Sequence, residues 1–222
     1  MLLLRLEAPL QSWGYRSRFT TRDTGLEPTK SGVIGLLCCA LGRDRKDSID
    51  DLRSLVMCVR VDRQGDLLSD YQTAGAGTFR GSEKYFAPTS DGGRRNQAIL
   101  LEKHYLQDAS FLVALQGDGD LLSRLAEALQ DPVWPLSLGR RSCPPAVPVF
   151  VGLRHGAADD VLRTEPRHHR CDRDLLRLIR ELPVGEFTGE ARRDTPLAWP
   201  DRQTRIYTDR YVQEELIEGP AT

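Results

Sequence analysis

A buried helix is predicted within residues 28–42, which read PTKSGVIGLLCCALG. Thr29 or Ser31 can cap its start, and Gly42 can end it in the left-handed conformation that glycine adopts easily. The segment is apolar nearly all round, so the helix should lie between a sheet and another layer. Lys30 and the free N–H groups at the helix start could also bind an anion, although simple capping explains Thr29 and Ser31 equally well.

Strands are predicted on both sides of this helix. Their hydrophobic and β-branched residues lie at 1–7, 56–62, 67–73, 108–115 and 147–153. A short helix is predicted at 48–55 and a longer one at 121–130. The strand at 67–73 is expected to turn at Gln64-Gly65-Asp66 and pair with 56–62. This order predicts an α+β fold of the ferredoxin-like type, with an antiparallel sheet, helices on one face and a β-hairpin insertion.

The insertion falls at residues 74–103, where five glycines separate charged and aromatic residues. So long a connection is unusual without a function, and we predict a long hairpin or arm. The body that carries it is expected to span residues 1–153. Residues 154–222 are arginine-rich and less periodic, and we expect a carboxy-terminal extension packed on the body, with regular structure only at 175–182 and 205–215.

Composition favours a cytoplasmic globular protein with no cofactor. The chain has 222 residues, of which 40% are hydrophobic and 28% are charged, and it has no apolar run long enough for a membrane span. Five cysteines without a repeated Cys-x-x-Cys spacing predict neither disulfides nor a zinc ribbon. His168-His169 with Cys171 lacks a fourth ligand at a supporting spacing, so no metal is expected.

Charge alone does not identify a ligand. The net charge of −1 argues against nucleic acid, but acidic and basic residues are segregated along the chain, so a basic face remains possible. Two adjacent arginines, Arg140 and Arg141, stand between a glycine and a proline pair in LGRRSCPP, residues 138–145. Such a loop could hold its guanidinium groups outward against a phosphate backbone, or be an ordinary solvated loop.

A catalytic interpretation rests on Lys103, His104 and Tyr105. These residues supply a cation, a group that titrates near neutral pH and a phenol, which a metal-independent ribonuclease could use. In a strand, however, only Lys103 and Tyr105 share a face. Among the glycines, no Walker A or G-x-G-x-x-G loop stands between a predicted strand and a helix, so nucleotide hydrolysis is not expected.

Four motifs together resemble one family. They read LRLEAPLQSWG at 4–14, PTKSGVIGLL at 28–37, DASF at 108–111 and LGRRSCP at 138–144. In this order they resemble the CasD family, subunits of the type I-E CRISPR surveillance complex Cascade. The resemblance implies an RNA-recognition-motif-like body and an arm, called the thumb, at 74–103. It also implies a non-catalytic role in antiviral defence: binding the 5′ handle of CRISPR RNA, contacting the backbone subunit CasC and the large subunit CasA, and meeting target DNA through the complex.

The resemblance also implies binding residues. Candidates on matching motif positions are Gln11, Trp13, Lys30, Ser31, Gly32, Arg140, Arg141 and Ser142, and weaker ones on the thumb are Arg80, Arg94 and Arg95. Trp13 could stack on a splayed base or be a core tryptophan. A related branch in type I-C systems cuts precursor RNA with tyrosine, lysine and histidine, so Lys103, His104 and Tyr105 leave endoribonuclease activity as the alternative. The I-E-like motifs imply a separate nuclease, CasE, which argues against it.

Overall fold

A computed structural model of the chain describes residues 1–14, 20–75, 77–79, 83–85, 87–89, 91–95, 98–167, 175–198 and 206–220. The longer strands are β1 (Leu2–Glu7), β4 (Val56–Arg63), β5 (Asp66–Ala74), β10 (Ile99–Gln107), β11 (Ser110–Gln116), β12 (Phe150–Leu153), β13 (Leu175–Glu181), β14 (Glu190–Ala198) and β15 (Ile206–Glu218). The short strands are β2 (Leu10–Gln11), β3 (Thr21–Arg22), β6 (Gly77–Phe79), β7 (Glu83–Tyr85), β8 (Ala87–Pro88) and β9 (Arg94–Arg95). The helices are α1 (Lys30–Leu41), α2 (Asp50–Arg53), α3 (Gly119–Gln130) and α4 (Ala158–Thr164).

The main sheet has seven strands in the order β12-β1-β11-β4-β13-β15-β14, and every neighbouring pair is antiparallel. Its central strands are aliphatic at consecutive positions because both of their faces are covered. In β1, for example, Leu4 lies opposite Val113 of β11 and faces one core, while the adjacent Leu3 faces another. The fold is therefore a mixed α+β structure with a largely antiparallel sheet, as the sequence predicts.

The first helix forms where the sequence predicts it. Thr29 caps its start, since Thr29 Oγ1 accepts the N–H of Gly32 at 3.3 Å, and Gly42 ends it with φ 69°. α1 and α3 pack on one face of the sheet over the same core. α4 packs on the other face, where Ala158 and Leu162 meet a second core cluster. The two helices of the predicted unit thus share one face as expected, whereas the carboxy-terminal third adds α4 on the opposite face, where the sequence predicts no helix.

The hairpin expected between residues 56–62 and 67–73 does not form. Both edges of β4 are occupied, one by β11 and the other by β13, so β5 has no free edge of β4 to join. β5 instead pairs along its whole length with β10, from Asp66 opposite Gln107 to Ala74 opposite Ile99. We call the hairpin of β5 and β10 the arm. The segment 74–103 lies within it, and the short pairs β6–β7 and β8–β9 lie between its two strands in the sequence.

The carboxy-terminal third continues the main sheet. β13 pairs with β4, so that Ile179 lies opposite Val59, and β15 and β14 follow at the edge. Side chains of these strands also enter both core clusters. In the part of the chain that the structure describes, no helix is long and apolar enough to cross a membrane.

Candidate nucleic-acid interface

The loop at residues 138–143, which we call the arginine loop, has a fixed backbone. The N–H of Leu138 donates to the carbonyl of Cys143 at 2.8 Å, and the N–H of Cys143 donates to that of Arg140 at 2.9 Å. Gly139 has φ 94°, and a Cβ there would lie 1.7 Å from the carbonyl oxygen of Ser12. Only glycine fits so close to another backbone, so this residue lets the loop pack against the segment that follows β2.

Arg140 connects this loop to the base of the arm. Its guanidinium group donates to the carbonyl oxygens of His104 at 2.7 Å, Arg22 at 2.8 Å and Asp23 at 3.0 Å. It also lies 4.7 Å from the centre of the Tyr105 ring, within the range of a cation–π contact. The carbonyls satisfy its donors without cancelling its charge. Arg140 therefore connects the arginine loop to the arm and also contributes an uncompensated positive charge.

Arg141 and Ser142 are exposed on the same loop. In the described part of the chain, Arg141 makes no hydrogen bond or ion pair, whereas Ser142 Oγ lies 3.9 Å from the sulfur of Cys143. A free, exposed guanidinium group is available for bidentate contact with a phosphate. The structure thus leaves Arg141 as the candidate with the most freedom to bind.

Two further cations lie at the base of the arm. Lys103 of β10 is paired directly with Arg22 of β3, so both side chains point to the same face, which Tyr105 shares. Lys103 Nζ donates to Gln72 Oε1 at 2.7 Å, and Arg22 is exposed with no side-chain partner among the described residues. We call Arg22, Lys103, Arg140 and Arg141 the arm-base cluster. Arg22 carries no signal in the sequence, because only the tertiary pairing of a two-residue strand brings it here.

The proposed catalytic residues do not converge. Tyr105 is buried beneath Arg140, while His104 points to the opposite face of the strand. There the His104 Nδ1 lies 2.8 Å from Ser69 Oγ, and its Nε2 lies 3.8 Å from Glu102 Oε1. Lys103 is on the Tyr105 side. The strand alternation noted in the sequence therefore separates the histidine from the other two groups.

Gln11 and Trp13 are core residues, and their prediction as exposed RNA contacts does not fit the structure. Trp13 is 1% exposed, and its indole N–H donates to Gln11 Oε1 at 3.1 Å. The Gln11 amide in turn donates to the carbonyls of Leu6 and Ala109. A Cβ at Gly32 would lie 2.8 Å from the Trp13 ring, so this glycine allows helix and ring to pack closely. Of the two interpretations of Trp13, the structure supports the core tryptophan.

Lys30 is also buried, which corrects its prediction as a handle contact. Its Nζ lies 2.6 Å from Glu181 Oε1, and its backbone N–H donates to Asp194 Oδ2 at 2.8 Å. Arg210 donates to both oxygens of Asp194 and lies 3.9 Å from Glu181. We call these four residues the buried charge network. The protein's own carboxylates thus occupy the anion position at the start of α1, and neighbouring Ser31 is only partly exposed.

The remaining candidates are not placed in a site by the structure. Arg80 lies outside the described residues, as do His168, His169 and Cys171, and the side chains of Arg94 and Arg95 do too. Within the described ranges no group of three or more His, Cys, Asp or Glu residues could hold a metal ion.

Burial raises the pKa of Cys38 to about 12 and that of Cys58 to about 11, so both thiols stay protonated near neutral pH.

Comparison with known proteins gives consistent matches. Residues 1–212 match the family described as CRISPR-associated protein (Cas_Cas5). The chain is 36% identical over 159 residues to CRISPR system Cascade subunit CasD of Escherichia coli (strain K12), which covers 68% of this chain and 70% of that protein.

Two solved structures are similar over nearly the whole chain. One belongs to a CRISPR RNA-guided surveillance complex, with a TM-score of 0.82, 34% identity, and coverage of 99% of this chain and 91% of that chain. The other is a crystal structure of a Cas protein, with a TM-score of 0.76, 35% identity, and coverage of 100% and 98%.

The fold and these matches define a CRISPR-associated protein. More particularly, the chain belongs to the Cas5 family, of which the E. coli relative is a Cascade subunit. The resemblance to CasD that the four sequence motifs indicate is confirmed.

Proposed function

We propose that this chain is a non-catalytic, RNA-binding subunit of a type I-E Cascade complex, and that it binds and caps the 5′ handle of the guide RNA in antiviral defence. Membership of the Cas5 family supports a place in a CRISPR surveillance complex. The arm-base cluster supports RNA binding, because it brings together four cations from three separate segments of the chain. Single-stranded RNA ends are recognised through phosphates and unstacked bases, which such a surface can contact.

One observation carries this proposal. In a chain of net charge −1, nine described arginines are paired with carboxylates, whereas Arg22, Arg140 and Arg141 form no salt bridge with any described residue. Arg140 is held by carbonyls, which leave its charge uncompensated. These uncompensated charges lie together where the arm, β3 and the arginine loop meet, so a positive potential is expected there. A phosphate backbone would follow that potential.

We also propose a finer description of the fold. The strands β12-β1-β11-β4 follow the spatial order 4-1-3-2 of a ferredoxin-like or RNA-recognition-motif-like unit, with α1 and α3 as its two helices. The arm then interrupts the connection between the second and third strands of this unit. In the proposed complex the arm acts as the thumb that contacts CasC. The chain also contacts CasA, and it meets target DNA through the complex.

The arm offers a surface suited to that contact. On the face opposite Lys103, the side chains of Leu67, Tyr71 and Leu100 are 59%, 66% and 51% exposed. Exposed apolar side chains aligned on one face of a hairpin are typical of protein–protein interfaces. The cationic face of the arm would thus contact RNA, and its apolar face would contact a protein subunit.

The direct test compares two exposed arginines. Arg141→Ala should weaken binding of single-stranded guide RNA and reduce the slope of log K against log salt by about 0.7, as expected for one lost phosphate contact. Arg124→Ala is the matched control, because Arg124 on α3 is also exposed and has no partner in the described structure. Equal slopes for the two variants would remove Arg141 from the interface.

A second variant addresses the structural arginine. Arg140→Ala combined with Arg141→Ala should weaken assembly on guide RNA more than Arg141→Ala alone, because it also releases the loop from the arm. Urea unfolding of the double variant separates the two effects: a lower free energy of unfolding reports the lost carbonyl contacts of Arg140, whereas the salt slope reports lost charge.

A further inference from the structure

β5 is a long, regular strand at an open edge of the arm. It pairs with β10 at all nine positions from Asp66 to Ala74 without a register shift, and no described strand pairs with its other side. None of its side chains is buried. In an antiparallel pair, about half of the N–H and C=O groups of an edge strand point away from its neighbour. The outer groups of β5 can therefore pair with another strand over a length of about 30 Å.

The edges of the main sheet are protected against such pairing, whereas the edge of β5 is not. β14 contains Pro196, which has no N–H group to donate, and its pairing with β15 shifts register twice. At the opposite edge, β12 has only four residues. β5 contains no proline, lysine or register shift. Because exposed edges are commonly blocked by such features, an unblocked edge indicates that a strand is added there in an assembly.

The two faces of β5 specify the side chains of an added strand. Leu67 and Tyr71 lie on one face, where they are 59% and 66% exposed. Asp66 and Asp70 lie on the other face, and neither forms a salt bridge with a described residue. Side chains directly across a strand pair contact each other, and opposite charges at such positions stabilise it. A matching strand would therefore alternate apolar residues with lysine or arginine.

A second copy of β5 would fit this edge poorly. Two copies paired antiparallel over their whole length would be centred on Asp70, the middle residue of Asp66–Ala74, so each Asp70 would lie directly opposite the other. Moving the centre to Leu68 would place Asp66 opposite Asp70 instead. Like charges directly across a strand pair are destabilising. The charges of β5 therefore oppose self-pairing and favour a basic strand.

We propose that the open edge of β5 pairs with a β-strand of another protein subunit, and that this strand alternates apolar residues on one face with basic residues on the other. The added strand would extend the apolar surface of Leu67, Tyr71 and Leu100, and its cations would lie across from Asp66 and Asp70. This inference rests on the proposed function for its setting. It adds to that function the way in which the arm joins a neighbouring subunit, which is backbone pairing as well as side-chain contact.

Hydrogen exchange followed by mass spectrometry tests the pairing, on the free chain and on the Cascade complex assembled with guide RNA. In the free chain about half of the amides in residues 66–74 should exchange fast, and in the complex about four more should be protected. Guide RNA added to the free chain should give no such protection. An unchanged β5 in the complex, or a β5 protected by RNA alone, would contradict the inference.

Asp66→Lys tests the charge of the added strand. Relative to Asp209→Lys, its affinity for the other assembled subunits should fall roughly 2- to 30-fold, because an attraction across the strand pair becomes a repulsion. Asp209 on β15 is the matched control, since it is also exposed and has no partner among the described residues. Both variants change the charge available to RNA by the same amount. Equal affinities would mean that no basic residue lies across from Asp66, and the proposed partner would be wrong.

The outcomes separate this inference from the proposed function. If the complex retains guide RNA while β5 gains no protection, the strand pairing is wrong and the RNA-binding function stands. If β5 becomes protected in the purified chain as its concentration rises, a second copy occupies the edge and the inference is again wrong. If β5 is protected in a complex of protein subunits that does not retain guide RNA, the pairing stands and the proposed function fails.

Discussion

Lys30 and Glu181 form a buried ion pair between residues 151 positions apart in the chain. The side chains are only 5% and 10% exposed, and Glu181 Oε2 also accepts the N–H of Met57 at 2.9 Å. Removing one member of such a pair leaves the other charged and buried, which costs more than the pair itself contributes. At the residue scale, the structure therefore assigns Lys30 to stability.

Lys30→Ala should lower the free energy of unfolding by about 3 kcal/mol, because Glu181 keeps only its backbone donor and the more distant Arg210. Lys46→Ala, an exposed lysine without a partner in the described structure, should change it by less than about 0.5 kcal/mol. Urea denaturation at neutral pH measures both. If Lys30→Ala were as stable as Lys46→Ala but bound guide RNA less tightly, Lys30 would belong to the RNA interface after all.

The candidate site could be predicted only in part from the sequence. The glycine, the arginine pair and the prolines that follow identify the arginine loop because turn chemistry is local. The burial of Gln11, Trp13 and Lys30 could not be inferred, since the groups that satisfy them come from distant segments such as Ala109, Glu181 and Asp194. A motif position indicates that a residue matters, but both a buried hydrogen bond and a ligand contact produce that signal.

At the scale of elements, the carboxy-terminal strands are attached by ion pairs as well as by backbone pairing. Arg177 of β13 donates to both oxygens of Glu214 on β15 at 2.7 and 2.8 Å, and it also reaches Glu27 at 3.1 Å. The hydrogen bond from Arg177 lowers the pKa of Glu214 below its ordinary value of 4.5. Such a carboxylate adds stability while ionised and loses that contribution as the pH falls through its lowered pKa.

Arg177→Met should therefore destabilise the protein more at pH 7 than at pH 3. In the folded wild type, Glu214 resists protonation, so its stabilising effect is present above about pH 4.5 and disappears in acid. Midpoints of urea unfolding for wild type and variant, followed across this range, should converge as the pH falls. Arg193→Met, at an exposed arginine of β14 without a described partner, should show no such convergence. A gap that stays constant with pH would mean that packing of the Arg177 side chain accounts for its effect.

Most elements could be predicted, but their partners could not. α1 begins and ends at the residues that capping chemistry indicates, and β1, β11 and α3 follow their hydrophobic patterns. The partner of β5 was missed because alternation specifies which face of a strand is buried and says nothing about which strand lies beside it. The long pairing of β5 with β10 depends on β13 occupying the edge of β4, and β13 is more than 100 residues away in the chain.

At the scale of the whole molecule, one sheet connects the ends of the chain. β1 lies near one edge of this sheet and β14 forms the other edge. The carboxy-terminal third is therefore part of the same sheet that supports the arm and the arginine loop. The cations of the arm-base cluster lie where three segments meet, and Arg22 and Arg141 are the exposed members. We expect this arrangement to give a chain of net charge −1 a local positive surface, which in the proposed function meets one end of an RNA strand.

The most direct test of the central claim is a competition experiment in EDTA with purified protein. Labelled repeat RNA that carries the 5′ handle is challenged with unlabelled RNA of equal length, either with the handle or without it, and binding and cleavage are scored on the same gel. We expect the RNA with the handle to compete more strongly and the labelled RNA to remain intact. Equal competition by both RNAs would contradict handle capping, and cleavage that disappears in His104→Ala would make the protein a processing ribonuclease.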